Sequence, residues 1–438
     1  MTSSKIEWCD RSDWNPIRGC TRVSPGCGGP GPHGGCYAEA MAARFSDPGM
    51  WGHGYAERTK TGGRWTGKVE IQWDRIDLPL RWRAPARIFA SSTSDWFHEA
   101  LPIEDIATMY AVAVAAVHVR RHTLQILTKR TDRMREILNT EAFWNQVNAE
   151  AGAHVMEHTD PLERRSDDAR AMLDEYGPEN PPPGIWLGTS TEDQKRADER
   201  IPHLVRTPAA LHFVSAEPLL GPLDLRAWLP GWIRGAVRSW NDFQWPGWVP
   251  ESVRQQVVSF WNPAWNRGPN AWMRGALENG QPAIGTRGNF RTCRQGEPLV
   301  EGRFIPAWNN IGCVVDDAGD VHVVSAGIYQ SRPPRLDLVI AGGEAGPRSR
   351  EHNLNWSRSL LEQCRVAGSA YFQKQLGSNP VIDCSDDMPA QPADADPADL
   401  AAFARSFLRP LRLKDRKGGD MAEWPEDLRV REMPEVER

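Results

Sequence analysis

The sequence predicts an α/β protein whose strands form one parallel sheet, either barrel-like or doubly wound. One observation is a set of six short apolar runs, rich in β-branched and aromatic residues, that each end in polar or charged residues. Runs of this length are typical of strands buried on both faces of a parallel sheet. The other is that helical patterns fall between them, as the α/β class requires. The runs are 87–90, 123–127, 185–187, 211–214, 336–340 and 370–372.

Three helices are predicted from apolar residues spaced three and four apart. The first follows Pro102, a favourable residue at a helix start, and the third precedes Gly368, a typical C-cap residue. Helices in these places supply the crossovers that parallel strands need. The apolar stripes are Ile103, Ile106, Met109, Ala113 and Val117; then Ala197, Ile201 and Leu204; then Trp356, Leu360, Cys364 and Ala367.

A polar or charged side chain follows each predicted strand. In a β/α barrel the catalytic groups lie at the carboxyl ends of the strands. One such residue would carry little weight, whereas six favour a polar mouth shared by the strands. They are Asp95, Lys129, Glu192, Glu217, Glu344 and Lys374.

The composition weighs against several classes of protein. The 438 residues carry 52 basic and 57 acidic side chains, a net charge of −5. This argues against a generic polyanion binder but leaves room for a local basic patch. No run of about 18 apolar residues occurs, so we expect no membrane span. Residues 1–13 lack the apolar stretch of a secretion signal, so we expect a cytoplasmic protein.

Residues 225–334 interrupt the alternation and hold nine of the 20 tryptophans. A structureless loop of this length is uncommon in a compact domain, so we interpret it as an inserted subdomain. Its tryptophans either stack on a base or sugar or hold the insert together. The predicted division is a barrel core in 1–224 and 335–384, the insertion in 225–334, and a charged tail, solvated or loosely docked, in 385–438.

The cysteines are concentrated near the start of the chain. Cys20, Cys27 and Cys36 have the spacing C-x6-C-x8-C in a Gly-rich context. In a reducing compartment such a cluster is more often metal-binding or catalytic than disulfide-forming. Cys36 opens a predicted helix, and a helix N-terminus favours the thiolate form of a cysteine.

Several kinds of site fit these cysteines. A structural zinc ion needs a fourth ligand, and neither Cys9 nor His33 has a standard spacing. An iron–sulfur electron carrier also uses four cysteines. Three cysteines leave one iron of a 4Fe-4S cluster open to a ligand, the arrangement for radical chemistry with S-adenosylmethionine. A cysteine-dependent enzyme without metal is a further reading. The spacing does not separate these, and the polar strand ends favour an enzyme.

The cysteine region and six further motifs resemble an uncharacterised phage and bacterial family marked by three cysteines. The cysteine loop and strand pattern of that family in turn resemble radical S-adenosylmethionine enzymes. The likeness covers residues 5–45, 68–138, 184–224 and 335–378. The motifs are IEW (6–8), WNP (14–16), GCTRVSPGC (19–27), CYAE (36–39), SDWFHE (94–99), LTKR (127–130), WLGTS (186–190), SAEPLLGP (215–222), GGEAGP (342–347) and FQKQ (372–375).

The resemblance implies a partial or complete parallel β/α barrel in which Cys20, Cys27 and Cys36 hold a 4Fe-4S cluster. The open iron would take the amino and carboxylate groups of S-adenosylmethionine. Reductive cleavage, with an electron donor such as flavodoxin or ferredoxin, would give a 5′-deoxyadenosyl radical that abstracts hydrogen from the substrate. A phage-type family suggests a nucleobase, nucleotide or nucleic-acid substrate, in the host cytoplasm if the protein is phage-encoded. The alternative is a zinc-binding, nucleic-acid-associated protein without radical chemistry.

The resemblance also implies roles for individual side chains. Asp95, together with Ser92 and Thr93, is a candidate for binding the methionine amino group. Tyr37 would lie near the adenine or else be a core aromatic at a helix start. Thr189 and Ser190 would contact the ribose or else cap the next helix.

The charged residues at the strand ends are candidates for the chemical step. Lys129, Glu217 and Lys374 would be substrate or acid–base groups, or else members of structural ion pairs. Glu344 follows a Gly-Gly pair like the methionine-binding Gly-Gly-Glu of radical enzymes, but after a late strand, so we expect it to face the pocket. His98 and Glu99 would bind metal or form an exposed helix start.

This chain departs from the family in the spacing of its last two cysteines. The family places two residues there, and this chain has eight, residues 28–35. The typical radical-enzyme motif is tighter still, C-x3-C-x2-C. A Gly/Pro insertion can bulge outward without moving Cys27 and Cys36, because the entropy of loop closure grows slowly with length.

Overall fold

The computed structural model describes residues 4, 6–28, 35–60, 62–158, 176–226, 228–229, 335–346, 348–383 and 407–434, and the backbone of six short strands between 277 and 325. The helices are α1 (Tyr37–Arg44), α2 (Leu78–Arg81), α3 (Ile103–Arg120), α4 (Thr131–Leu138), α5 (Glu141–His158), α6 (Gln194–Leu204) and α7 (Leu354–Ala367). None of the helices among these residues is long and apolar enough to cross a membrane.

The strands fall into one large sheet and several small ones. In chain order they are β1 (Ile17–Arg18), β2 (Ala56–Thr59), β3 (Gly62–Trp65), β4 (Glu70–Ile71), β5 (Arg87–Ala90), β6 (Thr123–Thr128), β7 (Ile185–Ser190), β8 (Leu211–Ala216), β9 (Leu277–Glu278), β10 (Gln281–Pro282), β11 (Phe290–Thr292), β12 (Arg303–Trp308), β13 (Ile311–Val315), β14 (Val321–Ser325), β15 (Leu338–Gly342), β16 (His352–Asn353), β17 (Ala370–Gln375), β18 (Pro380–Asp383) and β19 (Leu408–Pro410).

The large sheet has six strands in the order β5-β6-β7-β8-β15-β17. Its neighbouring pairs from β5 to β15 are parallel. The spatial order follows the chain order, so each connection leads to the next strand in the same direction and the sheet curls into a half-barrel. This confirms the predicted parallel sheet in its partial-barrel form, and all six apolar runs are strands.

Helices α3 and α6, both predicted from the apolar periodicity, contact strands of this sheet, α3 on β6 and β7 and α6 on β7. α3 begins directly after Pro102 and ends at Arg121, which takes the left-handed conformation with φ of 56°. Its side chains from Ile106 to Ala116 are nearly all buried. The ring of Tyr110 makes edge contacts at 5.5 Å with Phe143 and Trp144 of α5. Helix α5, Glu141–His158, thus packs against α3.

The N-terminal segment packs on the large sheet. The ring of Trp8 lies 4.6 Å from that of Phe89 and 5.8 Å from that of Phe213, on strands β5 and β8. The side chain of Gln125 on β6 donates to the Trp8 carbonyl at 3.5 Å. Arg11 forms a parallel bridge to Ile88 of β5. The segment thus runs along the first strand and leads the cysteine loop toward the carboxyl ends.

Gly188 on β7 shows how tightly this sheet is packed. A Cβ atom at this position would overlap the ring of Phe213 on the next strand. We expect Gly188→Ala to lower the free energy of unfolding by about 1–3 kcal/mol, the usual cost of overpacking a core. Urea denaturation measures the change.

The matched control for this substitution is Gly152→Ala in helix α5, where a Cβ atom would meet nothing within 4 Å. Alanine in a helix interior is preferred to glycine by about 0.5–1 kcal/mol, so this variant should be slightly more stable than the wild type. Equal stability changes in the two variants would contradict the packing argument.

The charged end of the chain, predicted to be solvated or loosely docked, carries buried apolar side chains. Trp424 and Leu428 are buried, at 2% and 0% exposure. The indole of Trp424 donates to the Gly418 carbonyl at 2.9 Å. Arg431 bridges to Phe372 on β17, and its guanidinium lies 5.4 Å from that ring. Residues 407–434 are therefore part of the folded structure. The sequence alone did not show this because Trp424 and Leu428 are two apolar residues in a segment of mostly charged composition.

The chain forms two compact units. One comprises Met1–Leu223, Leu338–Leu360 and Tyr371–Arg438, and the other comprises Asp224–Asp337 and Leu361–Ala370. In the second unit the described backbone includes a four-stranded sheet in the order β11-β14-β13-β12. Eight of the nine tryptophan side chains in 225–334 lie outside the described residues, Trp228 being the exception. Their predicted role therefore stays a prediction.

His352 gives this fold a defined response to acid. Its ring is buried, with Nδ1 2.9 Å from the Leu376 carbonyl and Nε2 2.9 Å from the Ser357 hydroxyl. Burial lowers the pKa of His352 from 6.5 to about 4. The unfolded chain therefore binds the proton more readily between these two values, and stability falls as the pH is lowered through that window.

We expect this histidine to remove about 2 kcal/mol of stability between pH 7 and pH 5. His352→Asn keeps a donor for the Leu376 carbonyl but does not titrate, so its unfolding free energy should depend less on pH. Urea denaturation at the two pH values measures the difference. His53→Asn, at an exposed histidine, is the control. The same pH dependence in both variants would contradict the assignment.

Candidate functional site

The loop that carries the three cysteines of the predicted cluster lies at the carboxyl ends of the large sheet, where it contacts Glu192 and Glu344. All three are free and partly buried. The sulfurs of Cys27 and Cys36 each raise the pKa of Cys20, which places the three thiols within electrostatic range of one another. Cys20 and Cys36 pack against an apolar cluster of Ala38, Ala42, Ala43, Tyr55, Ala56 and Trp65. The long Gly/Pro spacing thus does not separate Cys27 from Cys36.

Burial keeps two of these thiols protonated. It raises the pKa of Cys20 to about 12, and the neighbouring Asp95 carboxylate adds to the effect. Burial also raises the pKa of Cys36, although this residue is the N-cap of α1. Burial therefore opposes the thiolate form that the helix start was expected to favour at Cys36. A bound cation would supply the missing stabilisation.

The sulfur atoms are more widely spread than one zinc ion requires. Of the residues that the structure describes, the three cysteines are not among those whose ligand atoms all lie within 4.8 Å of one another. Zn–S bonds of about 2.3 Å in a tetrahedron place sulfurs about 3.8 Å apart. The loop would have to contract to bind a single zinc ion through all three cysteines.

Glu192, which follows β7, holds the loop on one side of Cys27. Its carboxylate is fully buried and accepts the Gly26 N–H at 3.0 Å. The second oxygen pairs with Arg200 at 3.0 Å. Burial opposes ionisation, but Arg200, Ser24 and Gly26 hold the pKa of Glu192 below its ordinary value. A side chain at position 26 would meet this carboxylate at 2.9 Å, so the anchor requires glycine there.

Glu344, which follows β15, holds the loop on the other side. It accepts the Gly35 N–H at 3.2 Å and pairs with Arg350 at 2.9 Å. Arg350 also donates to the Pro25 carbonyl at 3.0 Å. Burial opposes ionisation, yet Arg350 holds the pKa of Glu344 below its usual range. Two strand-end glutamates therefore fix the loop backbone on both sides of Cys27, and Glu344 faces the loop.

Arg22 joins the loop to helix α1. Its guanidinium forms a bidentate pair with the buried Glu39 and donates to the Gly28 carbonyl at 3.3 Å. Glu39 also accepts the Trp65 N–H at 2.8 Å. Sequence reasoning quoted Arg22 and Glu39 within motifs but gave them no role, although an acidic residue among the alanines of 38–43 was an available signal.

Asp95, which follows β5, is enclosed by donors. One oxygen accepts the Thr128 hydroxyl at 2.6 Å and the Phe97 N–H at 3.0 Å, and the other accepts the Lys129 N–H and the Arg130 guanidinium, both at 3.0 Å. These four bonds use the whole acceptor capacity of a carboxylate. In this arrangement Asp95 acts on Cys20 through its charge, and its predicted contact with a methionine amino group stays a prediction.

Arg130 and His98 connect this network to the cysteine loop. Arg130 pairs with Asp95 and Glu99 and donates to the Thr21 hydroxyl at 2.8 Å. The Thr21 hydroxyl also forms a hydrogen bond with Nε2 of the His98 ring, at 2.9 Å. The expectation of an exposed helix start at 98–99 is wrong, since His98 is 5% exposed and α3 begins at Ile103. Burial and Arg130 lower the pKa of His98, which keeps the ring neutral.

Ser92 and Thr93 lie beside the N-terminal segment. Both hydroxyl groups donate to the side-chain oxygen of Asn15, each at 3.2 Å. The Thr93 N–H donates to the same oxygen at 3.3 Å. Sequence reasoning quoted Asn15 within a motif but gave it no role. These bonds fix the strand-end turn against the segment that leads into the cysteine loop.

The ribose candidates separate into two environments. Ser190 accepts the Lys129 ammonium at 3.0 Å, so it belongs to the mouth. Thr189 is buried and donates to the Thr128 carbonyl at 2.8 Å. Neither residue caps the next helix, because Asp193 is the N-cap of α6 and accepts the Arg196 N–H. The capping alternative is therefore wrong, and the ribose contact stays a prediction.

Of the three remaining candidates, Lys129 follows β6 and Glu217 follows β8, whereas Lys374 lies within β17, which runs past residue 372, where the predicted strand ends. Glu217 and Lys374 form an ion pair at 3.1 Å, the structural alternative given for both. Lys129 forms no ion pair with any carboxylate among the described residues. Its charge opposes the rise that burial causes in the pKa of Cys36, and it contributes to the lowered pKa of Glu192. Lys129 is thus available to an anion beside the cysteines.

Tyr37, next to the third cysteine, is 72% exposed. The alternative that it is a core aromatic at a helix start is therefore wrong. An exposed ring at this place can contact a ligand held over the loop, and the predicted contact with adenine stays a prediction.

These observations define a class: an α/β protein with a parallel half-barrel and a three-cysteine loop anchored at the carboxyl ends of its strands. Residues 3–391 match the family described as Protein of unknown function (DUF5131), and the chain belongs to that family. No curated protein and no solved structure matches the chain. The activity must therefore be argued from the site.

Proposed function

We propose that this protein is a radical S-adenosylmethionine-type enzyme that holds a 4Fe-4S cluster on Cys20, Cys27 and Cys36. The observation that carries the proposal is the gathering of these thiols at the carboxyl ends of a parallel half-barrel. This is the end where catalytic groups lie in β/α barrels. When bound, the cluster and S-adenosylmethionine would supply hydrogen abstraction by a 5′-deoxyadenosyl radical.

The residues present fit such a cluster. Three cysteines leave one iron without a protein ligand, as a cofactor-binding iron needs. Among the described residues these three sulfurs are not a group whose ligand atoms all lie within 4.8 Å of one another, so one metal ion held by all three is not favoured. Burial raises the pKa of Cys20 and Cys36, and a bound cation would favour their ionised form.

The chain's own residues divide the remaining work. Glu192 and Glu344 hold the loop backbone, and Arg22 holds its end against α1. Lys129, with its charge unpaired among the described side chains, would bind an anionic group of the substrate or cofactor. The ion pair of Glu217 and Lys374 would orient the substrate or exchange a proton with it.

We infer that the substrate is a nucleobase, nucleotide or nucleic acid, with flavodoxin or ferredoxin as electron donor. The support is one unpaired lysine and an exposed aromatic ring beside the cysteines, the two groups that phosphate and base recognition use. The net charge of −5 favours a locally gripped substrate over nonspecific binding.

The test is anaerobic purification followed by reduction with S-adenosylmethionine. A brown protein with about four irons per chain that forms 5′-deoxyadenosine would support the proposal. One tightly bound zinc ion and no iron would overturn it in favour of the zinc-binding, nucleic-acid-associated alternative. Lys129→Ala should keep the iron but weaken binding of the substrate or cofactor. This variant therefore distinguishes loss of the cluster from loss of ligand binding.

A further inference from the structure

A second group of metal-binding side chains lies on helix α5, outside the cysteine loop. His154, Glu157 and His158 each offer one ligand atom, and these atoms all lie within 4.8 Å of one another. In the described part of the chain, this is the group of His, Cys, Asp or Glu side chains whose three ligand atoms lie this close together. Neither the fold prediction nor the proposed function uses these residues.

The helix itself brings the three side chains together. Residues three and four positions apart lie on the same face of an α-helix, so His154, Glu157 and His158 form one cluster within a single turn. The neighbouring apolar side chains Val147, Ala151 and Val155 of the same helix are buried. The turn that carries the cluster is therefore held by core packing, while His154 and His158 are partly exposed and Glu157 is exposed.

The chemistry of the three groups selects a class of metal. Two imidazoles and one carboxylate are the ligand set of many zinc sites, and imidazole suits zinc, copper, nickel and iron better than calcium or magnesium. The cluster lies in the last turn of α5, where the helix dipole favours a cation. Three ligands on one face of the ion leave at least one position for water or a further ligand.

We propose that His154, Glu157 and His158 form a site for a divalent transition metal ion of the zinc class, with an open coordination position. The site is independent of the cysteine loop and of the proposed radical chemistry. It shares no residue with either, so loss of one leaves the other intact.

The experiment measures Zn²⁺ binding to the full chain in competition with a chromophoric chelator. Wild type is compared with His158→Ala, with the double variant His154→Ala/His158→Ala and with Glu157→Gln. His53→Ala is the matched control, because His53 is an exposed histidine outside the cluster. Zinc bound by the cysteines is common to all variants, so the differences report on helix α5 alone.

Loss of either histidine should weaken one zinc equivalent by at least about tenfold, since even outer-shell partners of metal ligands are worth that much. With Cu²⁺ as probe, electron paramagnetic resonance should show coupling to two nitrogens in wild type and none from this site in the double variant. Circular dichroism checks that α5 remains folded. Zinc affinity and stoichiometry equal to wild type in the double variant, or losses that His53→Ala reproduces, would overturn the proposal.

Discussion

Glu192→Ala is expected to lower the free energy of unfolding by about 3–5 kcal/mol, because it leaves the Arg200 guanidinium buried without its carboxylate. The side chain of Arg200 is 7% exposed and that of Glu192 is 0% exposed, so water cannot replace the lost partner. The Gly26 N–H loses its acceptor as well. Urea denaturation at pH 7 measures the change.

Two further variants separate the buried charge from the general effect of substitution. Glu192→Gln keeps an acceptor for Gly26 but not the charge opposite Arg200, so its loss of stability should be smaller but still clear. Glu199→Ala, on the exposed face of α6, removes a surface pair with Arg196 and should change stability by less than about 1 kcal/mol. An equal effect of Glu192→Ala and Glu199→Ala would show that the buried pair is not needed.

Cys27→Ser is expected to abolish cluster retention. Cys27 ends the short turn Pro25–Cys27, which Glu192 and Arg350 hold through Gly26 and Pro25. Because Glu192 and Arg350 hold the backbone directly before Cys27, the loop cannot readily shift to bring another cysteine into the place of the missing ligand. Iron and acid-labile sulfide, measured after anaerobic reconstitution, should fall to background, while urea denaturation shows a folded chain.

Cys9→Ser is the control for this substitution. Cys9 is buried and its sulfur lies 3.3 Å from the Ser4 hydroxyl, a contact that a serine side chain can make. This variant should keep its iron. Iron that survives in Cys27→Ser would show that our ligand assignment is wrong, and iron lost in Cys9→Ser would make Cys9 a ligand.

The large sheet could be predicted because its signal is local. A buried parallel strand is apolar on both faces, so runs such as 185–187 and 211–214 are visible in the sequence without knowledge of their neighbours. The buried end of the chain could not, because Trp424 and Leu428 are isolated apolar residues in a charged segment. Their burial depends on a surface that other elements build.

The candidate site shows the same division. The strand-end positions of Asp95, Glu192 and Glu344 follow from the strand pattern, but their partners do not. Glu192 accepts from a residue 166 positions away and Glu344 from one 309 positions away. No periodicity encodes such pairs. For the same reason the sequence suggested a thiolate at Cys36, whereas its burial, a tertiary property, raises the pKa.

The anchoring of the cysteine loop also sets the order in which the molecule can mature. The loop lies in the first 36 residues, yet one of its two anchors and the arginine beside it lie at 344 and 350. A chain that emerges from the ribosome from its N-terminus cannot close this clamp until most of it has been synthesised. The loop is therefore completed late in biosynthesis. Until Glu344 and Arg350 have been synthesised, the three thiols lack these contacts and can react with metal ions or oxidants in solution.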